Sequence, residues 1–471
     1  MYLQKTLVVF LLIFTFANSA AQNPARCNCR ENLDTLVRRT ELDYAGFPAK
    51  VNPRNRRQYD VLVDRLSGLA TRSSTTVTCY RLMEEYVHFF RDKHFILSLT
   101  GYVEQKQVPA TANKAAVNPA PPFAGTWLDA DSSIKLEVSR TGPLSFVARV
   151  AWARDAKTMP AGMVYSLFRK KGDGWISERY DWFTSTHIPV SVTGNLLREW
   201  NLRVFGRIGA TTIAEQAELM TWRDHANGLA FYMADAKTSC LRIPSFIDDD
   251  QVAALVARND SAIRSHPGLI IDLRGNGGGN TGWRYVLPYL MTNEIRQPDN
   301  ELRISDNNRA RAISDFAPLI NGPLPDEYKK YFPDSIMALY KASFEKLKTT
   351  TDSFLVTPSV YFPFDSASRW PQEVALLFDE GCGSSTEYFF EISKQSRKVT
   401  RYGVHTLGMM DYVGMNHPTP LPAKEFTVSM PMARSGWTSI RPIDDTGFIP
   451  ENSLGDIPRE DWIRTICENW R

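Results

Sequence analysis

The chain has 471 residues, of which 43% are hydrophobic and 23% charged, with a formal net charge of +3. That is enough chain for two or three domains with a sizeable core. Losing Lys5 with the first segment leaves the charge near +2, which excludes the electrostatic footprint of a nucleic-acid-binding protein.

The chain opens with "MYLQKTLVVFLLIFTFANSAAQ". Lys5 is a charged n-region, Thr6 to Ala17 an apolar h-region, and Ser19-Ala20-Ala21 a small-residue cleavage site. The apolar run is too short for a membrane span, so residues 1–21 are predicted to be a secretory signal peptide. The mature protein is expected to be exported, periplasmic or secreted, with no transmembrane segment. Export permits disulfides, but six cysteines in a chain of this size make no disulfide scaffold. Cys27 or Cys29 is a candidate partner for Cys79, with the connectivity open. Cys27-Asn28-Cys29 is too tight for a zinc knuckle, and no metal or other cofactor is expected.

Residues 22–103 read as a helical domain. "LDTLVRRTELDY", "YDVLVDRLSGLA" and "CYRLMEEYVHFFRDKHFIL" carry apolar residues three and four apart. Residues 104–125, rich in Pro and Ala, read as a linker. From 126 to 228, strands such as "SIKLEVSR" and "SFVARVAWA" predict a small antiparallel β domain, barrel-like in character. From 229 to 471, strands alternate with helices ("SCLRIPSF", "DDDQVAALVARNDSAIRSH", "GLIIDLR"), which predicts a layered α/β domain. An insertion spans about 297–361, and its position after the glycine loop makes it a candidate lid.

Two stretches of this last domain invite chemistry. In "GLIIDLRGNGGGNTGW" a buried strand ends in Asp272-Leu273-Arg274 and then Gly275, Gly277, Gly278 and Gly279. Such bare backbone serves a dinucleotide loop, an oxyanion hole or a plain tight turn. A phosphate loop would need Gly-Lys-Ser/Thr, which is absent. In "LLFDEGCGSSTEYFF" a strand runs into Ser384-Ser385-Thr386-Glu387 and a helix. Ser384 fits a nucleophile at a strand-to-helix turn. Ser384-x-x-Glu387 equally fits a capping box, which needs no catalysis. A serine nucleophile needs a base; among seven histidines, spacing leaves both His94 and His405 open.

Taken together, "LIIDLRGNGGG", "LLFDEGCGSSTEYFF", "RYGVHTLG" and "IDDTGFIPE" resemble, in order, the motifs of the tail-specific (C-terminal-processing) and tricorn-type serine peptidases. That superfamily includes the interphotoreceptor retinoid-binding repeats. "LDYAGF" and "FFRDKHFIL" extend the resemblance to the N-terminal helices, and "FAGTW" to the β domain of some exported bacterial relatives. The resemblance implies an α/β core of ClpP/crotonase type beside the helical and barrel-like domains. It implies a protein or peptide substrate, with Ser384 as nucleophile, His94 as base and Asp444 as acid. Gly277 or Gly278, with Ser385, would supply the oxyanion donors. Asp445 is an alternative acid. The tail-specific branch places a lysine base where Met409 stands, so a Ser/Lys dyad is excluded. The family's PDZ domain is not found between Thr100 and Asn227, so tail specificity is not inherited. Two rival functions are a catalytically inactive binding protein on the same scaffold and crotonase-type acyl-CoA chemistry; the signal peptide counts against the second.

Overall fold

The computed structural model describes residues 27–99, 123–156, 159–172, 174–179, 183–184, 188–199, 203–224, 228–324, 326–444 and 446–470. The signal segment 1–21, residues 104–122 of the expected linker, His187, His225 and Asp445 lie outside them.

Three helices, Cys29–Asp43, Arg56–Ala70 and Thr76–His88, pack around Leu33, Leu36, Leu66, Tyr80, Met83 and Tyr86. The Asn28 side chain caps the first by accepting from the Glu31 N–H, and Thr75 caps the third through the Thr78 N–H. The chain then turns at Arg91, whose φ is +50°, and enters the strand Ile96–Leu99. That strand pairs antiparallel with Phe426–Ser429, near the far end of the sequence. His94 is therefore held between a helix end and a strand that belongs to the C-terminal half.

Eight strands, from Gly125–Asp129 to Arg203–Arg207, form a closed barrel. Trp127, Leu136, Phe146, Phe168 and Phe205 fill its interior, and the two-residue period of a strand sends the intervening residues outward.

The central sheet runs in the order Ala230–Met233, Thr238–Arg242, Gly268–Asp272, Glu373–Phe378, Val399–Gly403 and Asn452–Ser453. Its first strand is antiparallel to the second and the rest are parallel. Gly268–Asp272 is buried throughout because both faces of the sheet are covered. Leu269, Ile271, Val374 and Leu376 pack on one face with Leu255 and Phe389 from helices Asp249–Ile263 and Ser385–Ser393. Ile270, Ala375 and Leu377 pack on the other with Trp462 and Ile466 of the C-terminal helix. Adjacent parallel strands put the glycine loop after Asp272 beside the turn after Phe378, at the carboxyl ends where open sheets bind ligands.

An α/β core of ClpP/crotonase type does not describe this molecule. The sheet is mixed, and the architecture is a helical cap and a closed β-barrel built onto it. The cap's own strand, Ile96–Leu99, is completed by the segments 419–429, so cap and core are interleaved. No helix among the described residues is long and apolar enough to cross a membrane. Cys27, Cys29 and Cys79 are free thiols, so the expected pairing of Cys27 or Cys29 with Cys79 is not formed.

Candidate active site

Ser384 stands at the N-cap of the helix Ser385–Ser393 with φ +52° and ψ −122°. Few side chains adopt such a backbone, and its cost is of order 1–3 kcal/mol. The capping-box alternative fails on both halves. The Ser384 side chain makes no capping hydrogen bond. The buried Glu387 carboxylate instead accepts from Thr406 Oγ1 (2.6 Å) and the amides of Gly408 (2.7 Å) and Met409 (2.9 Å). Its burial raises its pKa, against these donors and Lys93. The serine is thus held up at a strained strand-to-helix turn, as a nucleophile is.

The glycine loop lies directly against this turn. A Cβ on Gly278, whose φ is +96°, would stand 2.7–2.8 Å from Gly383 O, Ser384 Cβ and Ser385 N, so only glycine permits the approach. The pin between the two segments is Asn276, fully buried and absent from the sequence-derived candidates. Its Nδ2 donates to Ile243 O (2.8 Å). Its Oδ1 accepts from Gly278 N–H (2.9 Å) and Thr386 Oγ1 (2.8 Å), and its carbonyl accepts from Gly383 N–H (3.0 Å). Of the two candidate glycines, Gly278 has its N–H occupied by Asn276 Oδ1. The amides of Gly277 and of Ser385, the first helical residue, have no acceptor among the described residues. On the loop's other side, Gly278 O and Asn280 N–H pair with Phe246.

Asp272 and Arg274 fix the loop from behind. Arg274 donates to both carboxylate oxygens of Asp272, at 2.8 and 2.7 Å, and through Nη1 to Arg459 O. Burial would raise the Asp272 carboxyl, but Arg274 and Arg242 bring it down to about 2.

His94 meets the serine. Its Nε2 lies 3.0 Å from Ser384 Oγ, and its Nδ1 lies 2.7 Å from the backbone carbonyl of Tyr412. A carbonyl only accepts, so Nδ1 carries the proton and Nε2 is free to accept the hydroxyl proton. Burial pushes the imidazole pKa below its ordinary value of 6.5, against Asp92 and the Tyr412 carbonyl. His405 is exposed, with its ring on the Thr406 carbonyl.

Asp444 is not bonded to the His94 ring. Its Oδ2 accepts from Lys50 Nζ at 2.6 Å, and its buried Oδ1 has no partner among the described residues. Burial, and then the neighbouring Asp92, push its pKa well up. Asp411 holds the turn that carries it by accepting from the Ile443 and Asp444 amides, both at 2.7 Å. The carboxylate next to the histidine is Asp92, through the backbone: His94 N–H donates to Asp92 Oδ1 (2.9 Å), and Tyr44 OH to Asp92 Oδ2 (2.7 Å). Ser384, His94, Ser385 and the glycine loop are brought together, and the place of a ring-bound acid is taken by a main-chain oxygen. No residue type encodes a main-chain acceptor, so sequence could not single out Tyr412. Asn276 had a signal in its place between Gly275 and Gly277.

Comparison with known proteins bears on the family and the fold. The family model described as peptidase family S41 matches residues 237–452. No curated protein matches the sequence. Among solved structures, the chain is similar to mature CPAF, at 13% identity over 94% of this chain and 95% of that one, with a TM-score of 0.52. It is likewise similar to mature CPAF complexed with lactacystin, at 12% identity over 94% of this chain and 97% of that one, with a TM-score of 0.50. The photosystem II D1 C-terminal processing protease aligns at 12% identity over 93% of this chain and 97% of that one, with a TM-score of 0.41. The likeness to mature CPAF spans helical cap, barrel and sheet alike. It replaces the expected ClpP/crotonase core with the fold of that peptidase.

Proposed function

The chain belongs to peptidase family S41 through residues 237–452, and from that premise we propose that it is an exported serine peptidase working through an acyl-enzyme. The observation that carries the reading is the 3.0 Å contact between His94 Nε2 and the hydroxyl of a serine held at a strained turn. Ser384 Oγ attacks the scissile carbonyl while Nε2 takes its proton. The Gly277 and Ser385 amides receive the oxyanion; one such donor is worth roughly 3–4 kcal/mol of barrier. His94 returns the proton to the leaving amine, the peptide bond breaks, and the acyl group stays on Ser384. Water, deprotonated by the same nitrogen, then releases the acid. Asp444 contributes through its pairing with Lys50. Export rests on the segment 1–21 and places the enzyme in the periplasm or outside the cell.

A fluorophosphonate probe tests this directly. The mature protein is expected to be labelled at Ser384, Ser384→Ala not at all, and His94→Ala at a rate roughly 10²–10⁴-fold lower. Equal labelling of His94→Ala and loss in His405→Ala would move the base to His405. No labelling of the wild type, with no cleavage of unfolded protein, would favour an inactive binding protein on this scaffold.

A further inference from the structure

The insertion 297–361 reaches the helical cap through Arg303 and the start of the helix Asp306–Asn321. The helix Cys29–Asp43 has no basic residue in its last turn, so its final carbonyls lack a local cation. Arg303, about 260 residues away in sequence, supplies the donors. Its Nη2 donates to Glu41 O (2.5 Å), its Nε to Leu42 O (2.8 Å) and its Nη1 to Tyr44 O (3.1 Å). Next to it, the buried Asp43 accepts from Ser305 Oγ (2.7 Å) and Asn307 Nδ2 (2.9 Å), and its carbonyl from Asn308 Nδ2 (2.7 Å). The helix Asp306–Asn321 of the insertion therefore starts on the end of a cap helix.

Two routes lead from Arg303 to His94. In the first, Arg303 holds the Tyr44 carbonyl, Tyr44 OH holds Asp92 Oδ2, and Asp92 Oδ1 holds the His94 amide. In the second, the strand Asn300–Arg303 pairs with Ala433–Ser435, which pairs with Tyr412–Val413, and the Tyr412 carbonyl holds His94 Nδ1. The Tyr44 and Tyr412 rings meet at 5.6 Å between centroids and close the circuit. One route fixes the histidine backbone and the other its ring.

We infer that Arg303 is a positioning residue for His94, through which the insertion braces the general base. The inference rests on His94 acting as base to Ser384. Arg303 touches neither residue. Removing its guanidinium frees the Tyr44 carbonyl while the main-chain pairing of the strand stays, so the Tyr44–Asp92 hold on the His94 backbone is expected to loosen and His94 to lose its fixed distance to Ser384. Displacements of about 1 Å far from the chemistry cost on the order of 10²-fold in rate.

The test compares Arg303→Met, which keeps the aliphatic stem, with Tyr44→Phe, which removes only the hydroxyl link and keeps the ring packing. In each, the first-order fluorophosphonate labelling rate at saturating probe should fall roughly 10–100-fold. The half-saturating probe concentration should change less than about threefold. In a His94→Ala background, adding Arg303→Met should change the rate no further; a further fall would show a general structural role and overturn the inference. An arm independent of activity uses Ser384→Ala protein, in which NMR follows the His94 Nδ1 proton held by the Tyr412 carbonyl. Arg303→Met should shift or broaden that signal, and an unchanged signal overturns the inference. Absent labelling of the wild type would sink the peptidase reading, while the NMR arm would still decide on Arg303.

Discussion

Ser384 and His94 face each other across 3.0 Å but are held in opposite ways. The serine side is local. Its strand, turn and helix are consecutive, its strain is its own φ of +52°, and its neighbour is the loop after the adjacent parallel strand. The histidine side is assembled from afar: Asp92 beside it, Tyr44 from a cap helix end, and Tyr412 from a strand more than 300 residues on. A nucleophile needs an exact backbone, which a short segment can encode. A base needs a ring fixed in space, which here takes several segments.

Breaking the pin of the serine side should have the largest effect. Asn276→Ala strips the acceptor from Gly278 N–H and Thr386 Oγ1 and the donor from Ile243 O. The labelling rate should fall roughly 10²–10³-fold as the oxyanion amides lose their place, and urea unfolding should show a loss of about 3 kcal/mol. On the histidine side, Asp444→Asn separates a ring-bound carboxylate from one paired with lysine. Changing a ring-bound acid costs about 10⁴-fold, whereas the Lys50-paired Asp444 should cost less than about tenfold in the same assay. A fall near 10⁴ would show that Asp444 reaches the ring during turnover. The pH profile tests the buried imidazole. Burial favours its neutral form, so labelling should rise with pH through a midpoint below 6.5 and be flat above it. A midpoint above 6.5 would mean that Asp92 outweighs burial. The smallest effect concerns strain. Ser384→Gly should raise stability in thermal unfolding by about 1–3 kcal/mol, while Ser384→Ala, which keeps the Cβ, should not.

The same contrast explains what the sequence disclosed. The apolar run into Asp272 and the glycines, and the run into Ser384, each signal a strand and the loop behind it, because the cause lies within a dozen residues. His94 could be told from His405 only by resemblance, since the strand partner of Ile96–Leu99 is Phe426–Ser429 and no local pattern announces it. The expected ClpP/crotonase core came from the family resemblance, whereas the alternation of strands and helices predicted only a layered α/β domain. What periodicity does not record is that the cap strand Ile96–Leu99 and the segments 419–429 build one sheet. Glu387 shows the opposite failure. A local rule assigned it to its own helix, and tertiary contacts sent it to Thr406, Gly408 and Met409.

Met409, which Glu387 anchors through its amide, bears on the choice of base at this site. Its sulfur lies 2.7 Å from where a Gly383 Cβ would stand, and Lys93 already donates to the neighbouring Gly408 carbonyl at 2.7 Å. A lysine at position 409 would bring a second ammonium beside the Gly408 carbonyl that Lys93 already holds. Like charges so placed repel, so the packing that seats Met409 disfavours a lysine there while Lys93 stays.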